Sequence, residues 1–363
     1  MELPASLRPA VYALAQNIPA GELAAASAAL TARYRGEVRD GARHVATAEA
    51  ARAYAIARLP ATYAAVVSAL AEVSKRGPVT LETMLDVGSG PGTAIWAARE
   101  IWSGIKSIVA VEASPAMIDL GRKLWGMAGL ADVDIQWQES DAFRAPAVAG
   151  GADPGTGDSV SGKVERVVPN ALFDAESGTA GVSAPGYSGQ RFDLVTMAYV
   201  LNEISMDPGQ AAVRLWEQTG KLIVIVEPGT PAGWKRILAA RTALISSGAH
   251  IVAPCPHAAA CPIVAPDWCH FSQRVARSRL HRLTKEAALG WEDEKFIYIA
   301  ASRTPIGLES PSARVLAPPR TASGRVWLKL CQSDGNVRER LVTKREGEPF
   351  KQARRTDWGQ TLG

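Results

Sequence analysis

Apolar and polar positions change rhythm several times along this chain. Ala48 to Leu59 and Thr62 to Lys75 are alanine-rich, with apolar residues at helical spacing. The Leu59-Pro60 step between them marks a boundary, because proline lacks an N–H and clashes with the preceding turn. These helices close an N-terminal helical region over residues 1–80, for which a structural role is expected. From Leu81 the pattern alternates. Thr83–Val87, Ser107–Val111 and Val133–Trp137 are apolar runs of strand length, separated by helical patterns at Thr93–Trp102 and after Ser114-Pro115. Ser114 is a good N-cap and Pro115 suits the first helical position. This βαβαβ order predicts an α/β fold with a doubly wound parallel sheet.

The pattern stops over residues 147–190, which are rich in Gly, Ser, Ala, Pro and Asp and are expected to form a flexible insertion. It resumes with a strand at Phe192–Tyr199, a helix at Pro208–Thr219 capped by Asp207, and a strand at Lys221–Val226. A helix at Ala232–Ser247 then ends at Gly248. Ser272–Ala288 reads as a basic helix and Lys295–Ala301 as a strand. Gly324–Leu330 and Val337–Thr343 alternate like a hairpin around Asp334-Gly335. The expected organisation is a helical region at 1–80, a sheet domain at 81–248, a cysteine loop and basic helix at 249–293, and final strands with a basic extension at 294–363.

The sharpest local signal is Leu85-Asp86-Val87-Gly88-Ser89-Gly90-Pro91-Gly92-Thr93, an apolar run, an acid, three alternate glycines and a helix start. Such a loop lets a ligand approach the backbone, and the open helix end offers N–H groups to it. The D-x-G-x-G-x-G pattern resembles the first motif of class I S-adenosylmethionine-dependent methyltransferases. In an open α/β sheet the ligand sits at the carboxyl ends of the strands. There Asp86 suits the methionine ammonium, Glu112 the ribose hydroxyls and Asp141 the adenine amino group. The cofactor-binding set is therefore Asp86, Gly88, Gly90, Gly92, Glu112 and Asp141. Tyr199 to Glu203 follow the fourth strand, where methyltransferases keep substrate-positioning residues, although Asn202 and Glu203 serve equally well as helix caps. No catalytic residue is assigned.

Cys255, Cys261, Cys269 and Cys331 are the chain's four cysteines. They lack the C-x2-C knuckle usual in zinc ribbons. Irregular spacing and two Cys-Pro steps suit a cubane iron–sulfur cluster better, with zinc and unligated core thiols as alternatives and His257 and His270 as competing ligands. A metal on these residues would staple the loop to the strand bearing Cys331.

Composition adds a class and a charge asymmetry. With 47% apolar residues among 363 the chain is globular. No apolar stretch approaches the roughly 20 residues of a membrane span. Met1 to Ala10 has no secretory or transit character, so a cytoplasmic location is expected. The net charge of +4 is concentrated at the end, where Ser312 to Gly363 carries 11 Lys/Arg against 5 Asp/Glu. Arg274, Arg277, Arg279, Arg282 and Lys285, with Lys344, Arg345, Lys351, Arg354 and Arg355, are expected to form a basic surface for RNA. Trp327 and Trp358 are candidates to stack on bases.

Several segments resemble the methyltransferase-like proteins associated with the small subunit of mitochondrial ribosomes and their bacterial relatives. They are Ala57 to Val66, Leu85 to Thr93, Cys255-Pro256-His257, Trp268 to Arg274, Cys331 and Lys351 to Gly359. The resemblance implies a role in small-subunit assembly, contact with its RNA, and a [4Fe-4S] cluster on the four cysteines. An assembly factor that binds S-adenosylmethionine is expected, acting as a monomer and without a membrane. The alternatives are an active RNA methyltransferase, or a small-molecule or protein methyltransferase with structural zinc.

Overall fold

The computed structural model describes residues 1–16, 18–36, 44–129, 132–143, 190–307 and 310–362. The expected insertion at 147–190 lies, except for Gln190, outside the described residues. Four helices come first: α1 (Leu7–Ala13), α2 (Ala20–Arg35), α3 (Ala48–Ala57) and α4 (Leu59–Ser74). Pro60 sits in the first turn of α4, so it starts that helix instead of ending one. α4 is buried on nearly all sides, and its run of alanines lets it lie close to its neighbours. Among the described residues no single helix is long and apolar enough to cross a membrane.

The alternating part follows the expected order closely. It comprises β1 (Thr83–Val87), α5 (Thr93–Ile101), β2 (Ser107–Glu112), α6 (Pro115–Met127), β3 (Asp134–Glu139) and β4 (Phe192–Ala198). Then come α7 (Pro208–Glu217), β5 (Thr219–Pro228), α8 (Pro231–Ser246), β6 (His250–Ala253), β7 (Phe271–Ala276), α9 (Arg279–Thr284) and β8 (Trp291–Ser302). Caps fall where the sequence places them. The Ser114 hydroxyl accepts from Met117 N–H, and the Asp207 carboxylate accepts from Gly209 and Gln210 N–H.

The large sheet has the order β3-β2-β1-β4-β5-β8-β6, with β7 also on β8. β1 to β5 are parallel, while β8 runs antiparallel to β5, β6 and β7. The chain steps outward from β1 on one side and returns to β4 on the other. The carboxyl ends of β1 and β4 therefore border a crevice at the switch point. α4 packs on α5, β7 and β8, so the N-terminal helices and the large sheet share one hydrophobic core.

One expectation fails here. Residues 271–276 form a strand, not the start of a basic helix, and only Arg279–Thr284 is helical. Phe271 and Val275 face inward, and the whole segment pairs with Trp291–Phe296. A partner about twenty residues away decides the structure against local spacing.

A second sheet closes the chain: β9 (Ala313–Val315), β10 (Arg320–Ala322), β11 (Arg325–Gln332), β12 (Val337–Thr343) and β13 (Thr361–Leu362), with α10 (Glu348–Arg355) on it. The expected hairpin is β11–β12, turning at Gly335 with φ 84°. This sheet has its own small core of Val315, Val326, Leu328, Leu330, Val342 and Phe350 among others. Buried Arg314 ties it to the body. Its guanidinium donates to Glu72 Oε2 at 2.8 Å, to the Gly359 carbonyl at 2.6 Å, and to the Pro254 carbonyl.

Candidate functional site

The glycine loop is built as its sequence demands. Gly88, Gly90 and Gly92 have φ of 67°, 54° and 82°, left-handed values that cost a side chain dearly. At Gly88 a Cβ would also lie 2.3 Å from Val200 Cγ2. Gly88 and Ser89 N–H both donate to the Val111 carbonyl at the end of β2. Glu112 fastens the turn: one carboxylate oxygen accepts from Gly90 N–H and the other from Ser114 N–H, both at 2.8 Å.

Asp86 is 1% exposed. Thr196 donates to its Oδ1 at 2.7 Å, and Oδ2 has no hydrogen-bond partner. Burial and the nearby Glu112 push its carboxyl up to about 7, against the Thr196 bond. Asp141 Oδ1 accepts from Phe143 N–H at 3.2 Å.

These features border a cavity of about 1630 Å³. Gly88, Gly90, Glu112 and Asp141 line it, whereas Asp86 and Gly92 do not. Its other walls include groups that the sequence did not single out. α2 contributes small residues such as Ala24, Ala28 and Ala32, so the N-terminal region forms part of the cavity wall. Tyr54 and Arg58 come from α3 and its C-cap. Tyr199 has φ 63°, unusual for an aromatic residue, and its hydroxyl donates to Glu294 Oε1 at 2.8 Å. Asn202 and Glu203 do not cap α7, since Asp207 does, and both line the cavity. Glu227, fully buried, accepts from Leu201 N–H at 3.0 Å and from Arg236 Nε at 2.8 Å, which fixes the segment carrying Tyr199 to Glu203.

The basic residues divide into two groups. Arg274 and Arg277 lie on β7 and just after it, opposite an acidic stretch of β8. Arg274 pairs with Asp293 at 2.9 Å and stacks on Trp291. Arg277, Lys285 and His281 surround Glu292, at 2.7, 2.8 and 3.3 Å, and hold its carboxyl well below the usual range despite burial. Arg277 and Lys285 thus belong to the cavity wall, and the expected outward basic face is neutralised at these positions. The signal was present as Glu292-Asp293-Glu294. Arg279 and Arg282 are exposed on α9. Lys344 and Arg345 are exposed on the 3-10 turn after β12, and Arg354 and Arg355 on α10, as is Lys351, which pairs with Glu348. Trp358 packs edge-on against His270, which stacks on Trp268, while Trp327 is half-buried on β11.

The four cysteines are free, and the fold brings them towards one another. Burial raises the Cys269 thiol, and proximity to Cys255, Cys261 and Cys331 raises it further. Cys331 is pushed up to about 12 by burial, then by Cys255 and Cys261. Its sulfur lies 3.4 Å from His257 Nε2. Arg241 donates to the His257 and Ala259 carbonyls at 2.8 Å each and shapes the loop. Four thiols that repel one another as anions suit a cation or cluster that neutralises them. Among the described residues, no group of three or more His, Cys, Asp or Glu side chains is set to hold a metal ion. Arg314 and a Lys329–Asp267 pair also fasten the second sheet to the body.

A sheet of this order, with a glycine loop at the end of its central strand, defines a methyltransferase-like α/β protein. The family model described as mitochondrial small ribosomal subunit Rsm22 matches residues 48–147 and 161–363, and the chain belongs to that family. It is 27% identical over 324 residues to the ribosome assembly protein METTL17, mitochondrial, of Homo sapiens, covering 85% of this chain and 61% of that protein. It is 25% identical over 353 residues to the Rsm22-cox11 tandem protein 2, mitochondrial, of Schizosaccharomyces pombe, covering 85% of this chain and 42% of the relative. The chain thus spans less than two thirds of either relative. Similar solved structures include magnesium protoporphyrin IX methyltransferase from Synechocystis PCC 6803 with bound SAH, at 11% identity and TM-score 0.36, covering 76% of this chain and 94% of that one. Another is a SAM-dependent methyltransferase from Aquifex aeolicus, at 12% identity and TM-score 0.35, covering 69% and 95%. The expected cytoplasmic location is overturned: the family and these relatives are mitochondrial.

Proposed function

We propose that this chain is an assembly factor of the small ribosomal subunit that holds S-adenosylmethionine in the cavity and contacts ribosomal RNA through its basic C-terminal sheet. The observation that carries the reading is the left-handed Gly88–Gly92 loop opening on a strand-end cavity, in a chain whose family is ribosomal. Gly88 and Gly90 give close backbone approach, Glu112 suits the ribose and Asp141 the adenine, while Asp86 lies buried off the cavity wall. The name of the human relative supports the assembly role.

The cysteine set Cys255, Cys261, Cys269 and Cys331 is proposed to hold a [4Fe-4S] cluster, with zinc as the alternative. A metal centre there would tie the cysteine loop to β11. Anaerobic purification with iron and sulfide analysis decides between the two. Four irons and four sulfides per chain support the cluster, and one zinc per chain supports the alternative.

The RNA surface is proposed at Lys344, Arg345, Arg354 and Arg355, with Arg279 and Arg282 on α9. The cavity wall, by contrast, carries seven carboxylates against Arg58, Arg277 and Lys285, an acidic excess that disfavours a phosphate backbone there. This favours cofactor holding over RNA methylation. The test is binding of small-subunit ribosomal RNA as a function of salt. Replacing Lys344, Arg345, Arg354 and Arg355 with serine is expected to weaken binding and to flatten the salt slope by about 0.7–0.9 per lost phosphate contact. An unchanged slope would remove this surface from the proposal.

A further inference from the structure

The second sheet has two faces, because successive residues of a strand point to opposite sides. On β11, Val326, Leu328 and Leu330 are buried and form a core with Val342 and with Phe350 of α10. Arg325, Trp327, Lys329 and Cys331 point the other way. That outer face is closed at one end and open at the other. Cys331 and Val337, directly opposite each other, join the main core, and Lys329 pairs with Asp267 of the cysteine loop. At the open end three strands set Arg320, Trp327 and Leu341 side by side, with Ala322, Arg325 and Thr343 as the next row. Trp327 is half-buried in mid-sheet, yet among the described residues it packs against neither hydrophobic core. Leu341 beside it is 45% exposed.

The surroundings of this tryptophan are cationic. The Arg320 guanidinium lies 6.0 Å from the Trp327 ring centroid. Arg325 is exposed in the next row, and Lys344 and Arg345 follow the end of β12. Lys344 N–H donates to the Gly324 carbonyl at 2.8 Å, which sets Lys344 beside the β10–β11 turn. Of the acids between Arg320 and Glu346, Asp334 lies at the opposite turn, Glu339 is paired with Arg320, and Glu346 accepts from Thr343 N–H. We infer that this open end binds unpaired ribonucleotides of the ribosomal RNA, with a base stacked on Trp327 and the phosphates on Arg325 and Lys344. The inference rests on the RNA reading above, to which it adds the form of the RNA and the stacking residue. An unpaired base offers a π face to the indole, whereas a duplex keeps its base faces inside its own stack. The flanking guanidinium and ammonium groups neutralise phosphates. A protein partner fits less well, because the exposed apolar area, chiefly Trp327 and Leu341, is small and rimmed by cations.

The test is fluorescence anisotropy of the full chain with a labelled RNA strand of about ten nucleotides, alone and annealed to its complement, over a range of salt. Wild type is expected to bind the single strand about tenfold tighter than the duplex. Trp327→Leu keeps an apolar side chain and removes the π face. It should weaken single-strand binding about tenfold, leave the duplex within about twofold, and leave the salt slope unchanged, since no phosphate contact is lost. Trp327→Phe should stay within about threefold of wild type. Arg325→Ser with Lys344→Ser should instead flatten the single-strand salt slope, by about 0.7 per lost contact. If Trp327→Leu fails to fold, judged by its melting curve, the wild-type preference and Trp327→Phe still decide. Equal wild-type affinity for both forms overturns the inference and leaves the RNA reading standing. So does Trp327→Leu that binds the single strand like wild type. Unchanged RNA affinity with lost comigration on the small subunit also overturns it, and assigns this face to a ribosomal protein. No binding of either form by wild type overturns the RNA reading itself, and the inference with it.

Discussion

Arg314 is the residue on which the attachment of the C-terminal sheet depends most. Its side chain is 2% exposed and joins three distant parts of the chain: Glu72 on α4, Pro254 before the cysteine loop, and Gly359 near the C-terminus. Arg314→Met keeps much of the apolar stem and removes the charge and its donors. Breaking a buried pair by deleting one partner costs about 3–5 kcal/mol. Because the Glu72 side chain retains 18% exposure and is shared with Lys75, the lower end, about 3 kcal/mol, is expected. Glu72→Gln should cost about 1–2 kcal/mol, since the carbonyl bonds to Arg314 remain. Urea unfolding followed by tryptophan fluorescence gives both values and, with the double variant, their coupling. The double variant should cost at least about 1 kcal/mol less than the sum. A loss under about 1 kcal/mol for Arg314→Met, or strict additivity, would refute the tie.

Gly88→Ala places a Cβ at φ 67° and 2.3 Å from Val200 Cγ2, so it should cost about 1–3 kcal/mol and abolish calorimetric binding of S-adenosylmethionine; retained affinity would contradict the loop's role. Asp86 binds its proton more tightly folded than unfolded, so its contribution to stability is full below the ordinary carboxyl pKa and is lost as pH rises from about 4 to about 7. Asp86→Asn should therefore flatten the fall in stability over that window, measured by urea midpoints, whereas an unaltered slope would assign it elsewhere. Glu292 has the opposite sign: its lowered pKa contributes stability above about 4.5 that is lost as pH falls below it. Glu292→Gln leaves Arg277 and Lys285 half-buried and unneutralised, and should cost about 3 kcal/mol at pH 7. A loss below about 1 kcal/mol would mean that solvent already screens the cluster.

Much of the architecture was legible in the sequence because local chemistry and fold agree. The Ser114-Pro115 start of α6, the Asp207 cap of α7, the glycine loop and the Asp334-Gly335 hairpin all depend on residues within a few positions. What escaped depends on partners far along the chain. Residues 272–288 read as one basic helix in isolation, and only the pairing of β7 with β8 makes Phe271 and Val275 the informative positions. The same pairing sets Asp293 and Glu292 against Arg274 and Arg277, so a basic segment in one dimension is a balanced one in three. α2 has few large apolar residues, and its small face gains meaning only as a wall of the cavity. Arg314 reads like any tail arginine until Glu72, Pro254 and Gly359 are seen to converge on it.

The central claim is that this methyltransferase-like chain works on the small ribosomal subunit. Sedimentation of the tagged full chain from its own cells tests it most directly. The account predicts comigration with small-subunit precursors in a sucrose gradient at moderate salt, weakened when Lys344, Arg345, Arg354 and Arg355 are replaced together. Wild-type protein that remains at the top of the gradient at every salt concentration would contradict it.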